Sequence, residues 1–213
     1  HWTGACPRFE PHEMRARSTY GDMPDTTLVD WPVSPEDMAP WYDKAKMRMG
    51  VTGTHGNPHL PPGNNYKVLE AGARKCGYTD MDTHNMAINS VARDGRPHCR
   101  QLGFCTSGCA LGAKWSTLYT EIPAAEETGN FELRPGCMVT ALKVGEDGRI
   151  ASVTYLHEGQ SVTQKARAVS IAGNVVETTR LLLNNRSERH PNGLANSSGL
   201  VGRNYMRHFT IQV

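Results

Sequence analysis

Residues Gly95 to Ser116, GRPHCRQLGFCTSGCALGAKWS, constrain this chain more than any other stretch. Three cysteines fall within eleven residues: Cys99, five residues, Cys105, three residues, Cys109. Gly103, Gly108 and Gly112 are interleaved with them, and Lys114 and Ser116 follow. Glycine permits tight turns and close backbone approach, so the run reads as a loop folded around an object. Iron–sulfur clusters are held by clustered thiolates on short loops, and three thiolates suit a cluster with three protein-bound irons. The spacing leaves other readings open. The thiols are unligated in one, since cysteine is often a small buried hydrophobe, and two of them form a disulfide in another. Zinc with His98 as fourth ligand is a further reading, although His98 and Cys99 are adjacent and no CxxC pair is present.

A chain of 213 residues suits one large domain or two small ones. It opens on His1 and closes on the apolar Phe209–Val213, so it reads as an internal piece of a longer protein. With 23 basic and 21 acidic residues the net charge is +2, which leaves no electrostatic footprint for nucleic acid. Mean hydropathy is −0.52 and no apolar run approaches the length of a membrane span. Three of the six cysteines are crowded together, unlike the pattern of a small secreted disulfide scaffold.

The polar stretch from Glu10 to Asp30 leads to an extended Asp30–Trp31–Pro32–Val33, since residues before proline avoid helix. Ser34–Pro35–Glu36–Asp37 is an N-cap with proline and acids at the helix start. Pro40 interrupts that turn, so the regular helix is expected over Pro40–Met49, with Trp41, Ala45 and Met49 inward and Gly50 as its stop. Val51 to Asn64 is loop, so His55 and His59 within it read as solvated rather than as a metal pair. A second helix is expected over Asn65–Cys76, with Tyr66, Leu69, Ala73 and Cys76 on one stripe, which makes Cys76 a core thiol. Ser116 to Thr128 has helical composition, with Pro123 opening or kinking it.

After Gly129 the period changes. Phe131–Leu133, Val139–Val144, Ile150–Leu156 and Ser161–Val169 are strand-like, separated by Glu146–Asp147–Gly148 and Glu158–Gly159. They predict a three- or four-stranded antiparallel meander. Val169 to Gly173 reads as a short buried strand closing on glycine, and a helix follows with Val175, Val176, Thr179, Leu182 and Leu183 at helical spacing. A strand–glycine–helix step brings a helix N-terminus toward a nucleotide, though many such steps hold no ligand and the full GxGxxG is absent.

Taken together, these segments resemble the glucose–methanol–choline (GMC) family of FAD-dependent oxidoreductases. Within it they resemble the bacterial flavoprotein subunits of the gluconate 2-dehydrogenase and fructose dehydrogenase type. The resemblance rests on five segments in order: His1-Trp2-Thr3-Gly4-Ala5; Asp30-Trp31-Pro32; Cys105 through Ser116; Ala172-Gly173 with Glu177-Thr178 and Arg180-Leu181-Leu182; and Ser198-Gly199-Leu200-Val201-Gly202-Arg203. It implies a mixed α/β fold. Part of a Rossmann-like FAD-binding domain, with an inserted antiparallel meander, is interleaved with part of an antiparallel-sheet substrate domain. The implied division is residues 1–30 in the FAD-binding domain, 31–94 a helical and loop region toward the substrate domain, and 95–116 the cysteine loop. Residues 117–204 return to the FAD-binding domain, with the meander at 131–168, and 205–213 begin the substrate-domain sheet.

The resemblance also implies site residues. His1, in a His-Trp-Thr context, is a candidate for covalent attachment of FAD, or packs against it without a bond. Trp2, Thr3 and Gly4 belong to the same cofactor segment, with Thr3 near the flavin's N5 edge. Val139 corresponds to a position whose backbone pairs with adenine, and Ala172 and Gly173 pass close to the cofactor. Cys99, Cys105 and Cys109 are the implied ligands of a 3Fe-4S cluster. The implied reaction is dehydrogenation of a CH–OH group of a sugar, sugar acid or polyol. Electrons pass to a cytochrome c subunit, with a further small subunit, at the periplasmic face of a bacterial inner membrane. An oxidase of the pyranose-oxidase type, and an electron-transfer or metal-binding module, are the alternatives. The family's GxGxxG lies before His1 and its catalytic histidine pair beyond Val213, so no catalytic residue is assigned; His208 matches a structural motif. The expectation that ties these together is one flavin embraced by the HWT segment and by Ala172–Gly173, and drained by the thiol loop.

Overall fold

The computed structural model describes residues 3–206. His1, Trp2, His208 and the strand expected over Phe209–Val213 lie outside the described residues. The chain divides into two compact units, His1–Phe131 and Glu132–Val213. Among the described residues no helix is long and apolar enough to cross a membrane.

The first unit carries short helices α1 (Pro11–Met14) and α2 (Ala16–Tyr20), then α3 (Pro35–Met49) and α4 (Asn64–Lys75), and α5 (Glu121–Glu126) after a single 3-10 turn at Thr117–Tyr119. α3 starts at Pro35 and runs through Pro40, five residues earlier than the expected Pro40 start. Its first turn is held by a reciprocal cap: the Asp37 backbone N–H donates to Ser34 Oγ, and the Ser34 N–H donates to Asp37 Oδ2 at 2.9 Å. That cap offsets the one helical N–H that Pro40 lacks. Gly50 ends the helix in the left-handed conformation, as the sequence indicates.

Met49, Tyr66 and Ala73 face inward as expected, whereas Trp41, Ala45, Leu69 and Cys76 do not. On α3 the half-buried residues are Pro35, Met38, Ala39, Tyr42, Lys46 and Met49, while Trp41 and Ala45 are exposed. Arg8 lies over the Tyr42 ring at 4.8 Å, which favours that side. On α4 the stripe runs through Tyr66, Glu70 and Ala73, with Glu70 paired to Arg74 at 2.6 Å. Leu69 and Cys76 are exposed, so Cys76 is not a core thiol.

The core of this unit is built mostly from loops. Met14, Val51, Thr52, Ala87, Ile88 and Ala113 are buried almost completely. Residues 85–89 form its spine. On one side Ala5 bridges Met86, with Cys6 N donating to Asn85 O and Ala87 N to Gly4 O. On the other side Ile88 bridges Lys114, with Asn89 N donating to Ala113 O and Trp115 N to Ala87 O. Thr52 then closes the spine, since its N–H donates to Met86 O and its Oγ1 accepts from Met86 N.

The second unit is regular. β1 (Met138–Val144), β2 (Ile150–His157) and β3 (Gln160–Lys165) form an antiparallel meander in that order, as predicted. β2 and β3 meet at Glu158–Gly159, both at positive φ, the geometry of a two-residue hairpin turn. β1 is an edge strand, with register shifts between Val139 and Ala141 and between Lys143 and Val144. α6 (Asn174–Asn184) packs on β1, and Leu142, Leu181 and Leu194 form the buried core with Val153, Val169 and Ile171 around them. Asn185 ties helix to strand: its Oδ1 accepts from Leu142 N at 2.8 Å and its Nδ2 donates to Leu181 O.

Among the described residues two expected strands are absent. Phe131–Leu133 is unpaired, and Arg134 beyond it reaches the sheet through Tyr155 Oη and Gln164 Oε1. Val169–Gly173 is also unpaired, although Val169 and Ile171 pack on the core. Apolar side chains are not enough for a strand, because a buried strand exists only where neighbours complete its ladder.

Candidate functional site

In the first unit the chain builds a thiol-lined cavity. Arg93 and Arg96 exchange backbone hydrogen bonds of 2.9 Å across Asp94–Gly95, which turns the chain into the loop. Buried Asn89 then holds both ends of it. Its carbonyl accepts from Cys99 N at 2.8 Å and its N–H donates to Ala113 O at 2.8 Å, while Nδ2 reaches the carbonyls of Arg96 and Pro97. The Arg96 guanidinium donates through Nη1 to Gly112 O at 3.0 Å, and Lys114 Nζ donates to Cys105 O. Tyr119 Oη donates to Cys109 O at 3.1 Å.

The result is a cavity of about 210 Å³ with Cys99, Cys105 and Cys109 in its wall, together with Leu102, Phe104 and Leu111. The Gln101 N–H donates to Cys99 Sγ at 3.3 Å, and the Lys114 N–H to Cys109 Sγ at 3.4 Å. Burial works to raise the Cys109 pKa, but the N–H groups of Lys114, Leu111, Ala113 and Gly112 outweigh it and hold the thiol below its ordinary value. That is the direction a metal-binding thiolate needs. No cysteine is in a disulfide, and His98 is exposed. Among the described residues no three His, Cys, Asp or Glu side chains stand close enough for a single metal ion. The three thiols therefore share a wall without converging on a point. That arrangement does not fit mononuclear zinc, whose ligands all lie about 2.0–2.3 Å from one centre.

Gly4 packs beside the spine that carries this loop. Gly4 is buried at φ +89, and a Cβ there would lie 3.0 Å from Ile88 Cγ1 and 3.6 Å from Lys114 Cγ. Only glycine fits that backbone next to the spine. Thr3 is exposed, and its Oγ1 accepts from Ala5 N. His55 and His59 go separate ways, to Asp43 at 3.1 Å and to Asp82 at 3.4 Å.

In the second unit Val139 and Gly173, far apart in sequence, line one cleft of about 230 Å³, with Met138, Ile171, Glu177 and Arg180. Val139 lies on the edge strand beside a bulge, where backbone groups are left for another partner. Gly173 precedes α6, and a Cβ there would meet nothing nearer than 3.6 Å within the chain. Its open side is therefore toward the cleft. Ala172 is exposed and outside that lining. Asn174 Oδ1 accepts from the N–H groups of Val176 and Glu177, so the helix start is capped by its own chain. The cleft thus suits the planar edge of a heterocycle better than a phosphate at the helix N-terminus.

A model of the GMC oxidoreductase family matches residues 27–210. The chain belongs to the GMC oxidoreductase family. GMC oxidoreductases bind FAD, and the mixed helical and antiparallel-sheet architecture agrees with their N-terminal domain. The chain is 32% identical to the fructose dehydrogenase large subunit of Gluconobacter japonicus, over 98% of this chain and 40% of that protein. It is 36% identical to paromamine 6'-oxidase of Streptomyces fradiae, over 94% of this chain and 38% of the relative. The gluconate 2-dehydrogenase flavoprotein of Pantoea cypripedii is 26% identical over 96% of this chain and 40% of its own length. The chain thus spans about two fifths of these relatives.

Within this GMC chain the cofactor residues named from sequence fall into three groups. Val139 and Gly173 share a cleft, Thr3 and Gly4 adjoin the spine, and His1 and Trp2 are outside the described residues. The supports of the thiol loop, Asn89 and Arg96, were missed. Asn89 carried a signal, a lone amide after the apolar Ala87–Ile88. Arg96 carried none, because its partner Gly112 is sixteen residues away.

Proposed function

We propose that this chain is part of an FAD-dependent dehydrogenase that oxidises a CH–OH group of a sugar, sugar acid or polyol. The observation that carries the reading is the cleft shared by Val139 and Gly173, in a chain whose relatives include a fructose dehydrogenase and a 2-methyl-1,2-propanediol dehydrogenase. The residues fit the cofactor. The bulged edge of β1 offers main-chain groups of the kind an adenine edge needs, and the bare Gly173 leaves room for its ring. Thr3 and Gly4, with His1 and Trp2, form the segment proposed to face the flavin, with His1 as the covalent anchor. These segments are proposed to belong to a Rossmann-like FAD-binding domain interleaved with a substrate domain. FAD, when bound, supplies the two-electron acceptor for the alcohol carbon. The chain's own part is to hold and orient it.

The thiol loop is proposed to hold a 3Fe-4S cluster on Cys99, Cys105 and Cys109 and to pass electrons onward. Support comes from the common cavity, the N–H groups aimed at two sulfurs and the depressed Cys109 pKa. The proposed acceptor is a cytochrome c subunit, with a small subunit completing the complex, at the periplasmic face of a bacterial inner membrane. Two relatives are a large subunit and a flavoprotein by name. A second reading, transfer of electrons to oxygen, is favoured by the paromamine 6'-oxidase relative.

The test uses the full-length protein under anaerobic conditions. Addition of fructose, gluconate or a polyol bleaches the flavin absorbance, and an iron signal in electron paramagnetic resonance disappears in Cys105→Ser. Rapid peroxide formation under air by a protein without iron would replace this reading with the oxidase. A protein without flavin would end both.

A further inference from the structure

Where the end of β1 meets the loop after α6, the second unit encloses a pocket of about 300 Å³. Lys143, Arg186, Arg189 and His190 line it together with the apolar Leu142 and Leu194, and no acidic residue is in its wall. It shares no residue with the Val139–Gly173 cleft. Cations just past a helix C-terminus ordinarily serve its last carbonyls, but here those carbonyls are already taken. Leu181 O accepts from Asn185 N and Nδ2, Leu182 O from Asn185 N and Leu194 N, Leu183 O from Arg186 Nε, and Asn184 O from Arg186 N. Charge is left over. Among the described residues neither Nη of Arg186 nor Lys143 Nζ makes a hydrogen bond, and none of the four basic residues is in an ion pair. Arg189 holds only the carbonyls of Gly145 and Glu146, at 3.3–3.4 Å. Glu146, Asp147 and Glu188 are near in sequence but outside the lining. His190 is half-buried, and its Nε2 is buried with no hydrogen-bond partner among the described residues. A buried polar atom without a partner in its own chain is unfavourable. Ser187 and His190 exchange backbone hydrogen bonds of 3.2 and 3.0 Å, which fixes the turn that carries Arg189.

We propose that this pocket binds the phosphate group of a small molecule. A phosphate monoester carries between one and two negative charges and three acceptor oxygens, which suits Lys143, Arg186 and Arg189, whose donors are largely unspent. Guanidinium forks meet phosphate oxygens two at a time. Like charges gathered around one pocket repel one another, and an anion between them relieves that repulsion. The volume is at the lower end of small-molecule sites, so an organic part of modest size has room beside Leu142 and Leu194. The inference stands apart from the flavin and iron readings.

The experiment is isothermal titration calorimetry of the full-length protein with inorganic phosphate and with glycerol phosphate, at constant ionic strength in a phosphate-free buffer. Flavin content is followed in parallel. One saturable site is expected. Arg186→Gln and Lys143→Gln are each expected to weaken it about tenfold, the scale of a hydrogen bond to a charged group. Arg149→Gln removes an exposed charge outside the lining and is expected to change the affinity by less than about twofold. Tighter binding of the ester identifies a phosphorylated metabolite, equal binding identifies free phosphate, and either result supports the site. No saturable binding of either probe, weakening by Arg149→Gln equal to that of the pocket variants, or release of flavin by the probe would overturn it.

Discussion

From Met138 to Lys165 the backbone is held by neighbouring strands, and apolar burial is shared among β1, β2 and α6. From Gly95 to Ser116 the backbone pairs little with itself and is held by buried side chains and by the 85–89 spine. In the meander stability is spread over many similar contacts. In the loop it is concentrated in a few polar ones, each with no substitute. The first arrangement tolerates change and positions a surface. The second fixes three sulfurs around a cavity, which a ladder of alternating side chains cannot do.

Perturbations of stability in the full-length protein should separate the two regions, read locally by hydrogen exchange. Gly4→Val has the largest expected effect. The φ of +89 and the 3.0 Å approach to Ile88 combine backbone strain with overpacking, a loss of about 4 kcal/mol. Exchange should accelerate along residues 85–89 and the thiol loop. Leu181→Ala comes next, at about 3 kcal/mol, because it opens the Leu142–Leu181–Leu194 core, and its effect should stay within α6 and the meander. Asn89→Ala removes the donor to Arg96 O and Pro97 O and should cost about 1–2 kcal/mol, with the loop exchanging faster than the spine. Val162→Ala on exposed β3 should change stability by less than about 0.5 kcal/mol. If Val162→Ala matched Asn89→Ala, the contrast between spread and concentrated support would fail.

What the sequence disclosed follows the same division. The Ser34 cap, the Gly50 stop and the Glu158–Gly159 hairpin were legible because each is fixed by adjacent residues. The three strands were legible from β-branched runs bounded by turns. The inward faces of α3 and α4 were legible only in part: Met49, Tyr66 and Ala73 pack as expected, but the apolar Trp41 and Leu69 do not, and the stripes pass through Lys46 and Glu70 instead. Val169–Gly173 has the composition of a strand and no ladder among the described residues, since pairing is a property of neighbours. The thiols of the loop stood out by spacing, whereas Arg96 and Asn89, which shape it, act across long stretches of chain. Val139 and Gly173 were reached through family resemblance, and folding puts them in one cleft.

The proposed function gives the chain two cofactor supports, a Gly173 cleft for flavin and a thiol loop for iron. Flavin and iron content per mole of full-length wild type, Gly173→Val and Cys105→Ser tests it most directly. A Cβ at Gly173 meets no atom closer than 3.6 Å beyond its chain neighbours, so a larger side chain there is expected to fill the cleft. Gly173→Val should lose most of its flavin and keep its iron, and Cys105→Ser should lose its iron and keep its flavin. Full flavin in Gly173→Val, or full iron in Cys105→Ser, would contradict the account.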